Sequence, residues 1–346
     1  MKLAVVLFNL GGPDSVEAIE PFLFNLFNDK AIISAPQPIR WMLARYISMK
    51  RAPVAQEIYA NLGGKSPLLE MTQDQANALK EAVKDKFDGS VEVETFISMR
   101  YWYPMSDDCA QEVKKFNPDH VVLLPLYPQF STTTSESSIN DWHRAAKKAQ
   151  IKAKTSTVCC YPVNEGFIDA IVEKLWPQIE QTCFIGKPRV LFSAHGLPKK
   201  IVDGGDPYQW QVEQTALAVV KKLNLPALDW WVSYQSRVGP LEWIGPNTED
   251  EIIRAGQEKV PLIIVPIAFV SEHSETLVEL DIEYKELADK HGVTSYMRTP
   301  TVQTHPLFIK GLSDLVFDHI MEDGAVKPEG KLRICPQNHS RCICKG

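Results

Sequence analysis

The sequence predicts an α/β fold made of two doubly wound lobes, each with a parallel sheet covered by helices on both faces. Three observations carry this. Short, near-continuous apolar runs rich in Val, Ile and Leu recur along the chain, as strands buried on both faces require. Longer segments with apolar residues at helical spacing lie between those runs. Polar and aromatic clusters stand just beyond several of the runs, where open parallel sheets bind their ligands.

Taken in order, the strand candidates are "KLAVVLFNL" (2–10), "VEVETFISM" (91–99), "HVVLLPLY" (120–127), "KTSTVCCY" (154–161), "RVLFSAH" (189–195), "DWWVSYQS" (229–236) and "PLIIVPIAF" (261–269). Helical spacing and composition mark "MTQDQANALKEAVKDKF", "SSINDWHRAAKKAQ", "GFIDAIVEKLWPQIEQT", "YQWQVEQTALAVVKKL" and "TEDEIIRAGQEK" between them. A last helix, "PLFIKGLSDLVFDHIMED" (306–323), precedes a polar tail. The expected organisation is a first lobe at 1–155 with an apolar lip at 19–53, a second lobe at 156–303, and a C-terminal helix and Cys-rich tail at 304–346. Two such lobes leave a cleft where the carboxyl ends of their strands face each other, and ligands bind in such clefts.

Composition narrows the function classes. The 346 residues are 45% hydrophobic and 23% charged, an ordinary globular mixture. A net charge of −6 points away from a nucleic-acid partner. The start, "MKLAVVLFNLGGPDS", carries one Lys, a short apolar run and no small-residue cleavage site, so it reads as a buried first strand rather than a secretory signal. No stretch approaches the roughly 20 apolar residues that span a bilayer, which makes the cytoplasm the default compartment. Seven cysteines, an odd number in a large chain, argue against a disulfide framework.

The chemistry-bearing residues gather at strand ends. His195 closes an apolar strand and is followed by Gly-Leu-Pro; alone, it reads as a core histidine. His273 stands two residues before Glu275 in "SEHSETLVELDIEY" (271–284), where Glu275, Glu279 and Glu283 recur every four residues. Like charges at that spacing repel along a helix. The plain alternative is a solvated acidic face, but this helix follows one of the most apolar strands in the chain. A π-bulge, common at functional sites, would bring the three carboxylates into line. Imidazole with carboxylate suits divalent iron, manganese or zinc, and without thiolate it binds weakly enough to release the metal. Arg100 and Tyr101 in "MRYWYP" and Trp243 in "PLEWIGP" fit walls for a flat apolar ligand whose carboxylates pair with Arg. The segment 19–53 mixes Phe, Leu, Ile, Trp and Met with Arg40, Arg45, Lys50 and Arg51. It reads either as two helices packed on the sheet or as an apolar lip with a basic rim that touches a membrane surface.

These motifs resemble the ferrochelatase family along nearly the whole chain. "FNLGGPDS", "GGKSPLLEMT" (63–72), "MRYWYP", "YPQFSTTTSESS", "GDPYQWQV", "YQSRVGPLEWIGPNTED" and "QTHPLF" (303–308) all contribute, and "SAHGLP" together with "SEHSETLVELDIEY" is specific to it. The resemblance implies two Rossmann-like, chelatase-like lobes with the active-site cleft between them. It implies insertion of Fe²⁺ into protoporphyrin IX, the last step of haem biosynthesis. His195 and Glu275 would meet the metal, Glu279 and Glu283 would continue outward along a π-type helix, and His273 would stand with them. Leu10, Tyr59, Arg100, Tyr101, Gln235, Ser236 and Trp243 match porphyrin-lining positions, and Lys50 and Arg51 match a basic lip. The expected setting is cytoplasmic, peripheral at the cytoplasmic face of the inner membrane through 19–53, with a homodimer left open and no nucleic acid.

Two departures bear on cofactors. Residue 272 is Glu where many relatives carry Asp, and Thr132 stands where animal relatives have a cysteine that ligates their [2Fe–2S] cluster. The tail "CPQNHSRCICKG" nevertheless gathers Cys335, Cys342 and Cys344. With Cys160 (or Cys159) these make the four thiolates of a [2Fe–2S] cluster, as some bacterial relatives do. Zinc with His339 as a ligand and an unliganded terminus are the alternatives. Competing functions are a coproporphyrin-metallating relative, a non-catalytic tetrapyrrole or haem carrier, and an iron–sulfur sensor.

Overall fold

A computed structural model describes residues 1–237, 239–320, 324–330 and 332–344. The strands are β1 (Lys2–Asn9), β2 (Glu92–Met99), β3 (His120–Pro125), β4 (Lys154–Val158), β5 (Arg189–His195), β6 (Asp229–Gln235), β7 (Leu262–Pro266), β8 (Tyr296–Arg298) and β9 (Val326–Lys327). Among the described residues they form two sheets, in the orders β2-β1-β3-β4-β9 and β6-β5-β7-β8, with every pairing parallel. The central strands are buried along almost their whole length: seven of eight residues in β1, all six in β3 and all five in β7. That is why they read as continuous apolar runs rather than alternating ones.

Several strands end sooner than their apolar runs, for reasons in the backbone. β3 stops at Pro125 and β7 at Pro266, because proline has no N–H to continue a ladder. β6 stops at Gln235, since Ser236 adopts φ +60 and turns the chain away. The run 154–161 pairs only as far as Val158. β8 and β9 carry no apolar run and were not expected; they are short pieces that pair at the far edges of the two sheets.

The chain forms two compact units. One comprises Met1–Cys160 with Leu312–Leu332, the other Tyr161–Gly311 with Arg333–Lys345. The segment expected as a separate C-terminal piece, 304–346, is thus divided: β9 adds to the first sheet beside β4, while the described residues 333–344 belong to the second unit. Helix Pro306–His319 occupies the start of the expected 306–323 run, of which 321–323 lie outside the described residues. In the lip, helices Ile19–Phe27 and Gln37–Ala60 pack on each other. The second leaves Ile39, Trp41, Met42, Tyr46 and Met49 exposed. Among the described residues no helix is long and apolar enough to cross a membrane.

Candidate active site

β6, β5 and β7 are neighbours in the second unit, so their carboxyl ends lie side by side. β5 ends on His195 and β6 on Gln235. β7 leads through a loop into a nine-residue π-helix, Glu275–Glu283, continued by helix Tyr284–His291. The expectation of a π distortion is met by a whole π-helix rather than a single bulge. Gly196, the residue after His195, is confined: a Cβ there would meet Gln235 O at 3.0 Å and the Trp243 ring at 3.2 Å. Trp243 therefore packs beside the end of β5. With Arg237, Leu241, Asn247, Glu249 and Tyr284 it also lines a cavity of about 340 Å³.

The polar contacts converge on two carboxylates. His195 Nδ1 lies 2.8 Å from Glu275 Oε2, with side chains 38% and 25% exposed, so the pair is half-buried. Ser236 Oγ lies 3.2 Å from Glu275 Oε2 and 2.5 Å from Glu279 Oε2, and its backbone N–H donates to Glu279 Oε1 at 2.9 Å. Gln235 Nε2 donates to Glu279 Oε2 at 3.0 Å, and its own carbonyl oxygen accepts from Ser193 Oγ at 2.7 Å, which fixes the amide. Tyr284 Oη donates to Glu279 Oε1 at 3.0 Å. One hydroxyl proton on Ser236 can serve only one carboxylate at a time, so a proton on Glu279 and the hydroxyl proton can shift together between the two acids.

Electrostatics set these groups apart. Burial disfavours the Glu275 carboxylate, but the charge and hydrogen bond of His195 outweigh it and bring its pKa down to about 2. Burial likewise disfavours the His195 imidazolium, yet Glu275 raises its pKa above the ordinary value. Glu279 moves up, through burial and then the neighbouring Glu275 charge. Glu283, exposed at the end of the π-helix, is raised by desolvation and by Glu249 and Glu286. Burial lowers His273, whose ring lies 4.6 Å from that of Phe269 and whose buried Nδ1 has no hydrogen-bond partner. The ladder thus runs from two half-buried acids to an exposed one.

Behind the π-helix stands a clamp that sequence patterns did not reveal. Arg298, at the end of β8, donates to both oxygens of Glu272 at 2.9 and 3.0 Å and to both oxygens of Asp281 at 2.6 Å. Glu272 also accepts the Thr301 N–H at 2.9 Å. Burial opposes its charge, but Arg298 prevails and its pKa falls. Glu272 lies in the loop before the π-helix and Asp281 within it, so one guanidinium ties the loop to the helix. Tyr284 was missed as well, although its spacing of five from Glu279 was the available signal.

The other expected porphyrin-lining and lip residues belong to the first unit, and Cys335, Cys342 and Cys344 of the tail to the second. Leu10, Tyr59 and Tyr101 come together in one apolar cluster with Ile19, Phe22 and Ala52. Arg100 does not stand open: Nη2 pairs with Asp29 at 2.7 Å and Nε donates to Ser137 Oγ at 2.8 Å. Tyr101 Oη donates to the same Asp29 carboxylate at 2.9 Å. Asp29, hidden in an apolar stretch, was not singled out. Lys50 and Arg51 are exposed, Arg51 over the Phe27 ring.

Comparison with known proteins points to one family. A family model described as Ferrochelatase matches residues 2–320. Proteins named ferrochelatase are similar over nearly full length. That of Pelagibacter ubique is 48% identical, covering 99% of both chains, and that of Rickettsia bellii is 51% identical, covering 99% of this chain and 95% of its own. A Wolbachia protein of the same name is 52% identical over 91% of this chain and 98% of its own. Among solved structures, SirB from Bacillus subtilis with Fe³⁺ shares the fold at a TM-score of 0.52 and 15% identity, covering 92% of this chain and 95% of that one.

The His195–Glu275 contact makes a prediction about titration. In Glu275→Gln the charge that chiefly raises His195 is gone while burial and the weaker pull of Glu279 remain, so the His195 pKa should fall. NMR titration of the imidazole measures it, and an unmoved pKa would show that the contact does not form in solution.

Proposed function

The chain belongs to the ferrochelatase family, and from that premise we propose that it is a lyase that inserts Fe²⁺ into protoporphyrin IX, making protohaem and releasing two protons. The observation that carries the reading is the His195–Glu275 contact, with Glu279 joined to it through Ser236. A carrier of tetrapyrrole or haem needs pocket walls but no such coupled acid and base. Neither that alternative nor a coproporphyrin-metallating relative is favoured by relatives consistently named ferrochelatase.

Metallation removes two pyrrole protons and gives the metal four nitrogen lone pairs. His195 and Glu275 share one proton with strongly separated affinities, so they titrate as a unit. In its neutral form His195 takes a pyrrole proton, and the ionised Glu275 stabilises the imidazolium that results. Burial and the neighbouring Glu275 charge raise the Glu279 pKa, which favours its holding a proton. It receives protons through Ser236, and Glu283 hands them to water at the exposed end. The substrate Fe²⁺ meets imidazole and carboxylate, His195 and Glu275 first, with His273 kept neutral by burial; this donor set lets the metal go. Because a metal competes with the proton for His195, iron binding itself releases that proton.

The tail supports a [2Fe–2S] cluster by its chemistry alone: Cys335, Cys342 and Cys344, buried in the second unit, are three of the four thiolates that such a cluster takes. Among the described residues no group of three or more His, Cys, Asp or Glu is arranged to hold a metal ion, and no step of the reaction runs through the cluster. The lip supports contact with a membrane surface that delivers the apolar porphyrin: Trp41 and Met42 are 50% and 67% exposed on the helix that carries Lys50 and Arg51.

Three measurements test these readings. His195→Ala and Glu275→Gln should each lower kcat for the porphyrin-to-haem spectral change, under anaerobic Fe²⁺ and protoporphyrin, by about 10²-fold or more, with porphyrin binding retained; near-normal turnover in either removes its assigned role. Cys344→Ser should lose the visible absorbance of a cluster from the purified protein, and an unchanged spectrum excludes that ligand. Trp41→Glu with Met42→Glu should release the protein from anionic lipid vesicles in a sedimentation assay, whereas equal co-sedimentation with wild type would discard the lip as a membrane contact.

A further inference from the structure

The tail that carries the cysteines is seated, within the second unit, on the elements that support His195. Arg341 N–H donates to Gly205 O at 3.1 Å. Gly205 has φ +97, and a Cβ there would meet Ser340 Oγ at 2.5 Å and Ser340 N at 3.1 Å, so the tail lies directly against this glycine. His339 and Trp210 rings are 5.9 Å apart, and Gln211 Nε2 donates to Cys335 Sγ at 3.0 Å. Arg333 stiffens the tail itself, donating to the carbonyls of Cys335, Pro336 and His339.

The same few residues reach the site. Asp206, wholly buried, accepts the Tyr208 N–H at 2.9 Å and so fixes the start of helix Tyr208–Leu223. Tyr208 Oη donates to the carbonyl of His195 at 3.1 Å. That carbonyl has lost its strand partner. Ser193 O accepts from Ile267 N, and the β5–β7 ladder ends at Ser193 and Pro266. The carbonyl two residues on points to the same side of β5, past the end of β7, where the tyrosine hydroxyl takes the place of the missing strand. The backbone carrying the imidazole is therefore held on its β7 side by Tyr208.

We propose that the cysteine-rich tail is a strut for His195: by seating the start of helix Tyr208–Leu223, it holds Tyr208 Oη on the His195 carbonyl and sets where the imidazole stands relative to Glu275. Tyr208 is then a positioning residue for metallation, and this rests on the role given to His195 above. A tail that merely covers the surface would leave Tyr208 and Gly205 independent of each other.

A double-mutant cycle separates the two cases. Tyr208→Phe removes the hydroxyl and keeps the ring; Gly205→Ala blocks the seat of Ser340. Each should lower kcat by about three- to tenfold with KM for porphyrin unchanged, as loss of one hydrogen bond implies, and the double variant should be no slower than the slower single one. Hydrogen–deuterium exchange should rise across 193–208 and 333–344 in Gly205→Ala, and across 193–197 in Tyr208→Phe. Multiplicative losses, an unchanged kcat in Tyr208→Phe, or exchange that rises in Gly205→Ala only at the tail would overturn the strut. If Gly205→Ala does not fold, Trp210→Ala, which removes the His339 contact, enters the same cycle. Full turnover in His195→Ala would overturn the catalytic reading instead, and the exchange measurement then still decides whether tail and His195 are linked.

Discussion

The 2.8 Å contact between His195 Nδ1 and Glu275 Oε2 is the interaction that the second unit is arranged to permit. Five carboxylates crowd into residues 272–283, and a charge drawn out of water is costly unless a partner faces it. Arg298 takes Glu272 and Asp281, and His195 takes Glu275. Glu279 and Glu283 are left without a directly paired cation among the described residues, and theirs are the pKa values that rise. Charge balance therefore divides the segment into acids that face a cation and acids whose pKa rises.

Strand geometry delivers these groups without long loops. Parallel strands that are neighbours in a sheet end at one edge. His195, Gln235 and Ser236 consequently arrive together, although about 40 residues separate the two segments in sequence. Ser236 pays for its place with a left-handed backbone, which points both its N–H and its hydroxyl at Glu279. The π-helix contributes spacing: Tyr284 and Glu279, five residues apart, meet through a hydrogen bond.

The two units meet their charges differently. In the first, Arg100 and Tyr101 both turn to Asp29, with Ser137 as a further donor to that carboxylate. The cation is already engaged, so a substrate carboxylate would have to compete with Asp29 for it. In the second, the imidazole and carboxylate remain half-exposed and accessible to a proton or a metal. The tail, seen from the second unit, is less a loose end than a brace stacked on helix Tyr208–Leu223.

Apolar runs in the sequence were enough to locate seven strands and their parallel sheets, because the central strands are buried along almost their whole length and must be apolar there. The recurrence of glutamate every four residues beside His273 likewise marked the ladder, since repelling charges on a buried element need a reason. Short edge strands β8 and β9 left no such trace. Which cation neutralises which acid was decided only by the tertiary structure: Arg298 and Asp29 look like ordinary charged residues until the chain folds. The seat of the tail on Gly205 and Gln211 is equally unmarked, since it depends on contacts more than 100 residues apart. Pattern along the chain records burial, which each residue experiences singly, whereas pairing of charges and donors depends on distances that exist only after folding.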